Sequence, residues 1–254
     1  MPKHHPGREE LGQNFLVDPK YVSILARDAS RPGLPVVELA GGDGALSAAL
    51  VPRTRSLTVV ELDPRRASEL RRRLGRRARV VQADLLEFRL PSGPHVIVGN
   101  LPFHLTTATL RRLLPAPHWQ KAVLLVQWEV ARRRAGVGGA SMLTVMWAPW
   151  FEFELIGRVP ARAFRPVPSV DGGIFIATRR PEPLVARRGS YQRFVGSVFK
   201  APGSTLSEKL ARGQRLTTRQ AKHVLRLAEV PPRSRPRDLG VDDWLRLFRS
   251  VRKN

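Results

Sequence analysis

The chain has 254 residues, of which 42% are apolar and 26% charged. That is enough for one large domain, or one plus a smaller one, and it argues against wholesale disorder. With 37 Arg and 7 Lys against 21 acids, the formal net charge is +23, so a polyanionic partner such as nucleic acid is expected. The lack of cysteine excludes a disulfide scaffold, a thiol nucleophile, iron–sulfur clusters and Cys-ligated zinc, and it fits the cytoplasm.

Residues 1–10 read as a mobile basic arm with no apolar core of a secretory signal. Gly12-Gln13-Asn14-Phe15-Leu16 follows, polar residues before a buried Phe-Leu pair, as in a segment that folds over a ligand. From Val36 short β-branched runs alternate with helical stretches. Strands are expected at 36–39, 57–61, 79–84, 95–100 and 122–126. Helices are expected from Ala45 to Leu50 and, opened by Asp63-Pro64, to about Leu74. Such alternation implies a parallel sheet with crossover helices. Runs at 151–156 and 173–178 lack a long helix between them and suit an antiparallel pair at a sheet edge. The longest uncharged stretch, Ala135 to Phe151, contains three glycines and a proline. It is too short for a membrane span, which takes about 18 apolar residues.

The texture changes at Arg179-Arg180-Pro181-Glu182-Pro183, a linker by composition. Beyond it the pattern is helical: 191–199, 206–211, 217–228 and 242–251. The expected architecture is α/β, a Rossmann-like sheet domain over 11–180 with a small all-helical domain over 181–254.

Four strand ends carry the chemistry. Glu38-Leu39-Ala40-Gly41-Gly42-Asp43-Gly44 ends in a glycine turn between strand and helix, where backbone approaches a ligand closely. It lacks the third glycine of the dinucleotide fingerprint, and such turns are equally often structural. Glu61 ends the second strand and could accept both hydroxyls of a ribose; it could also be a plain strand-end carboxylate. Asp84 could accept an adenine amine or simply cap the following turn. Asn100-Leu101-Pro102-Phe103 is the most specific feature. Proline restricts Leu101 and has no N–H, so the turn can aim the Asn100 oxygen and the Leu101 carbonyl at one amino group beside the Phe103 ring. Phe164, before Arg165-Pro166-Val167-Pro168, is a second stacking candidate or a core residue.

In this order the motifs resemble the rRNA adenine-N6 methyltransferases, most of all the Erm type that confers resistance to macrolide, lincosamide and streptogramin B antibiotics. The resemblance covers nearly the whole chain and implies a class I methyltransferase that uses S-adenosylmethionine. By that resemblance Gln13, Asn14, Leu16, Ala40, Gly42, Gly44, Glu61, Leu62, Asp84, Leu85 and Asn100 form the cofactor site. Asn100, Leu101, Pro102 and Phe103 would carry the catalysis, and Phe103 and Phe164 would stack on the target base. It implies 23S rRNA as partner, the helical domain over 181–254 being RNA-associated, with no membrane and no metal, and a monomeric cytoplasmic protein. The alternatives are an enzyme acting on 16S rRNA and a non-catalytic nucleic-acid-binding protein on the same scaffold. Two residues depart from the family pattern. Ala40 stands where a glycine is usual, and its methyl is expected to be tolerated only at negative φ. Phe103 replaces a frequent tyrosine, which keeps stacking and removes a hydroxyl.

Overall fold

Asp18 and Pro19 open the first helix. The Asp18 carboxylate accepts from the Lys20 amide, and Pro19 stands at the first helical position. A computed structural model of the chain describes residues 14–30 and 33–252. The arm, Gly12 and Gln13 lie outside the described residues.

In chain order the elements begin with β1 (Phe15–Leu16), α1 (Pro19–Ala29), β2 (Val36–Leu39), α2 (Ala45–Leu50), β3 (Leu57–Glu61), α3 (Pro64–Leu74) and β4 (Arg79–Gln82). Then come β5 (His95–Asn100), α4 (Thr106–Leu113), β6 (Trp119–Gln127), α5 (Trp128–Arg134), α6 (Met142–Trp147), β7 (Phe151–Val159), β8 (Phe164–Arg165) and β9 (Gly172–Arg179). Four helices follow: α7 (Arg188–Lys200), α8 (Leu206–Gln214), α9 (Thr218–Leu227) and α10 (Val241–Val251).

Seven strands form one sheet in the order β4-β3-β2-β5-β6-β9-β7. Strands β4 to β6 are mutually parallel, and β9 runs antiparallel to β6. The register sets Glu38 beside Val98 and Leu39 beside Val60, so β2, β3 and β5 end together. In an open α/β sheet that edge is where ligands bind. The central strands are mainly apolar, as in a sheet buried on both faces; Val36, Val37, Val59, Val60, Val96, Ile97 and Val98 are all buried. Burying such a side chain contributes about 1.5–3 kcal/mol. A separate two-stranded ribbon pairs β1 with β8, Leu16 opposite Phe164.

The chain divides into two compact units. One comprises residues up to Ala131 plus Glu154–Thr178, and the other Arg132–Phe153 plus residues from Arg179 onward. The second unit therefore takes in a segment that the sequence reading left with the sheet. Packing explains this. Val145 joins the helical core of Tyr191, Phe194, Leu210, Val224 and Trp244, and the Tyr191 hydroxyl donates to the Val145 carbonyl. The proline-rich stretch near 180 is tied down as well, since the Arg180 amide donates to the Trp150 carbonyl and the Leu184 amide to that of Pro149. Among the described residues no helix is long and apolar enough to cross a membrane.

Candidate active site

The ends of β2, β3 and β5 open into a cleft of about 580 Å³, its open mouth included. It gathers Asn14, Leu16, Ala40, Gly42, Glu61, Asn100, Leu101, Pro102 and Phe103 from the expected set. Phe15, Glu38, Gly41, Asp43, Ala45 and Leu46 complete the lining.

The glycine turn is held from β3. The Gly41 amide donates to the Val60 carbonyl at 3.1 Å. The Gly42 amide donates to Glu61 Oε2 at 2.7 Å, and the Asp63 amide to Oε1 at 2.9 Å. The Glu61 carboxylate is 2% exposed and fixed in direction by those two bonds. Each of its oxygens keeps a lone pair for a further donor, as a vicinal diol requires.

Ala40 has φ +61°, so the expectation of a negative φ is overturned. The conformation is left-handed, where a methyl crowds the following carbonyl oxygen at a cost of about 1–2 kcal/mol. The bonds on Gly41 and Gly42 keep it there. Ala40→Gly is therefore expected to raise unfolding stability by about 0.5–1 kcal/mol, the relief being offset in part by the freer unfolded glycine. Urea denaturation checks this, and a lower midpoint at unchanged slope would contradict it.

Gly42 also needs its lack of a side chain. At φ +58° a Cβ would stand 3.2 Å from the Phe15 ring. That ring lies over the turn, with the Arg66 guanidinium 4.2 Å from its centroid on α3. Phe15 is thus seated between a backbone turn and a cation. The sequence reading missed it, although its place after Gln13-Asn14 marked the segment.

Asn100 ends β5. The preceding Gly99 allows the close approach, because a Cβ there would be 2.6 Å from the Leu39 carbonyl oxygen. Asn100 Nδ2 donates to the Asn14 carbonyl at 2.8 Å, across 86 residues of chain. The Leu101 amide is committed to the Leu125 carbonyl on β6. Phe103 is half-buried and meets Phe164 edge-on, the centroids 6.2 Å apart.

Phe164 itself is 0% exposed. It presents no face to a ligand, so the expected stacking platform becomes a support beneath Phe103. Asp84 does not line the cleft. Its Oδ1 accepts from the Leu86 amide at 2.7 Å, the capping alternative. Leu62 is half exposed beside Glu61, and Leu85 is buried beside Asp84. Gly44, at φ +80°, caps the start of α2 rather than lining the cleft.

Glu38 opens the first motif, but the sequence reading gave it no role. It is 1% exposed and accepts from the Ser47 hydroxyl at 2.5 Å. Burial pushes its carboxyl up to about 8; the Ser47 bond opposes this, and Asp43 and Glu61 add to it. Glu38, held mostly protonated at neutral pH, adds little charge, so among the described residues the lining sets two carboxylates, Asp43 and Glu61, against no Lys, Arg or His. In a protein of net charge +23 such a cleft favours a cationic ligand. A diol acceptor in an acidic cleft fits S-adenosylmethionine, which carries a ribose, an ammonium and a sulfonium. Among the described residues no cluster of His, Asp and Glu could hold a metal ion.

A cleft of this kind, at the carboxyl ends of parallel strands with an antiparallel strand inserted beside them, defines an S-adenosylmethionine-dependent methyltransferase. The chain belongs to the ribosomal RNA adenine dimethylase family, whose model matches residues 4–253. It is 46% identical to the mycinamicin-resistance protein MyrB of Micromonospora griseorubida over 250 residues, 97% of this chain and 80% of that protein. It is also 46% identical to an rRNA adenine N-6-methyltransferase of Corynebacterium diphtheriae over 215 residues, 84% of this chain and 85% of that one. The crystal structure of the 23S rRNA methyltransferase ErmE superposes with a TM-score of 0.87 at 36% identity, covering 94% of this chain and 100% of that one.

Proposed function

We propose that the protein methylates the N6 amine of an adenine in the peptidyl-transferase loop of 23S rRNA and thereby confers macrolide resistance. The observation that carries this is the meeting of Glu61 and Asn100-Leu101-Pro102-Phe103 in one acidic cleft, in a chain of this family. S-adenosylmethionine supplies, when bound, an electrophilic methyl group on its sulfonium sulfur. Glu61 would hold the ribose hydroxyls, and Asn14, Leu16, Ala40 and Gly42 would form the walls around the cofactor. Gln13, Gly44, Leu62, Asp84 and Leu85 belong to the same reading as flanking positions.

An adenine amine is a poor nucleophile because its lone pair is delocalised into the ring. The Asn100 oxygen and the Leu101 carbonyl accept hydrogen bonds from its two N–H groups and favour a pyramidal nitrogen. Positioning and electrostatics then do most of the work, and no strong base is required. The target base must leave its stack to enter the cleft, and Phe103 replaces the lost stacking. The same reading takes the protein as a monomer, and the rRNA substrate supports a cytoplasmic setting.

Expression in a drug-sensitive bacterium is expected to give tolerance of erythromycin-like macrolides and a reverse-transcription stop at one adenine of the 23S loop. Modification of adjacent adenines near the 3′ end of 16S rRNA, without a change in tolerance, would assign the protein to small-subunit maturation instead. No modification of either RNA would leave a binding protein.

A further inference from the structure

Helix α3 carries five arginines, Arg65, Arg66, Arg71, Arg72 and Arg73. Four are exposed, and Arg66 alone is not. Its side chain is 22% exposed, against 80% for Arg72 on the same helix. The guanidinium lies 4.2 Å from the centroid of the Phe15 ring, which lines the cleft. Its Nε is 3.9 Å from Asp63 Oδ2.

These contacts close a circuit on Glu61. The Gly42 amide donates to Glu61 Oε2, and the Asp63 amide to Oε1. Asp63 faces Arg66, and Arg66 faces the ring of Phe15. That ring in turn lies over Gly42, 3.2 Å from where a Cβ would stand. Glu61, Gly42 and Phe15 line the cleft, whereas Asp63 and Arg66 reach it only through them. Phe15 has a slender strand to hold it otherwise. Strand β1 is two residues long and pairs with β8 in a ribbon of two strands, and such a ribbon is marginal by itself. A cation over the ring face adds an attraction that grows as water is excluded. The Asp63 carboxylate offsets the cost of withdrawing that cation from water.

We propose that Arg66 is a positioning residue of the cofactor site, which acts through Phe15 by seating that ring on the glycine turn before the cofactor enters. This rests on the reading of the cleft as an S-adenosylmethionine site and adds to it a residue outside the lining. The effect is preorganisation. A segment already in its bound place spends no binding free energy on being ordered. Where the competent arrangement is only partly populated, the affinity falls by that fraction. An arginine serving only solubility or a phosphate contact gains nothing from lying on a ring, and Arg65 beside it is exposed.

The test uses the full chain and three substitutions at one position or its neighbour. Arg66→Met keeps a long helix-forming side chain and removes the cation. Arg66→Lys keeps a cation and loses the planar face. Arg65→Gln is the control of equal charge change on the same turn. Calorimetry should show the Kd for S-adenosylmethionine rising about 3- to 10-fold in Arg66→Met, partly restored in Arg66→Lys and unchanged in the control. The cofactor KM should rise in parallel while kcat at saturating cofactor stays close to wild type, because the β1–β8 pairing is left in place. In a double-mutant cycle, Arg66→Met added to Phe15→Leu should cost nothing further, since the ring through which it acts is gone. Hydrogen exchange on the cofactor-free protein supplies an independent arm. The amides of residues 15–17, of which Val17 donates to the Ala163 carbonyl, should exchange faster in Arg66→Met than in wild type or control. Unchanged cofactor affinity, full additivity with Phe15→Leu, or an equal loss in Arg65→Gln would overturn the proposal. So would a loss of RNA affinity beyond the control with the cofactor Kd intact, which would make Arg66 a phosphate contact. A wild type that binds no S-adenosylmethionine would overturn the functional reading itself. The exchange arm needs no cofactor, so faster exchange there would still keep the seating of Phe15 by Arg66, and unchanged exchange would end it.

Discussion

Asn100→Ala is expected to lower methyl transfer by about 10²–10³-fold, the usual cost of removing one preorganised group aimed at charge developing in a transition state. The wild-type side chain holds its oxygen in place by donating from Nδ2 to the Asn14 carbonyl. Alanine removes both the acceptor and the tether. RNA affinity should stay close to wild type, since the side chain acts on an amine and not on phosphates. Asn100→Asp separates the two losses. It keeps an oxygen for the amine but sets a carboxylate against the Asn14 carbonyl, so it should also be strongly impaired. Tritium transfer to an rRNA fragment, read beside a gel shift, measures both properties. Turnover at the wild-type rate in Asn100→Ala would remove the residue from the reaction.

Glu61→Ala has the second large effect, on the cofactor. Hydrogen bonds to a charged group contribute about 1.5–3 kcal/mol, so the Kd for S-adenosylmethionine should rise about 10- to 150-fold. The loss extends beyond the ribose. The Gly42 and Asp63 amides both donate to this carboxylate, and in the variant both need new partners. Glu61→Gln tests the geometry. Its amide keeps one acceptor and turns an N–H₂ toward one of those donors, so it should rescue little. Calorimetry on folded protein decides the matter, and an unchanged Kd with intact circular dichroism would place the ribose elsewhere.

The strands that carry the site were legible because their patterns are local. Val36–Leu39 and Leu57–Glu61 are short runs rich in β-branched residues, and the chain forms strands over those same residues. Asp63-Pro64 opens α3 as read, with the Asp63 side chain accepting from the amides of Arg65 and Arg66. Helix α1 was left out, although Val22, Leu25, Ala26 and Ala29 fall at helical spacing and are buried. Two strand runs were drawn too short: β6 begins at Trp119 and β7 extends to Val159. What could not be read locally was set by distant partners. The ring of Phe15 is positioned by Gly42 and Arg66, far along the chain. Ala40 takes its left-handed conformation from bonds that its two successors make to β3. Phe164 could be read as a stacking or a core residue, and it is the core alternative that holds: it packs opposite Leu16 in a ribbon that the sequence pattern did not reveal.

That ribbon has a consequence for the Asn100 amide. A carboxamide is nearly symmetric in shape and opposite in polarity at its two ends, so packing alone barely distinguishes its two orientations. Here the choice is made by a backbone carbonyl 86 positions earlier. A half-turn of the amide would bring oxygen against oxygen at Asn14 and aim an N–H₂, itself a donor, at the amine it is meant to receive. The polarity of the acceptor is thus inherited from where residues 14–16 lie, and they lie there because β1 is paired with β8 and Phe15 is pressed onto the glycine turn. A change that loosens this ribbon would leave every side chain of the Asn-Leu-Pro-Phe turn in the chain and still erase the direction in which one of them points.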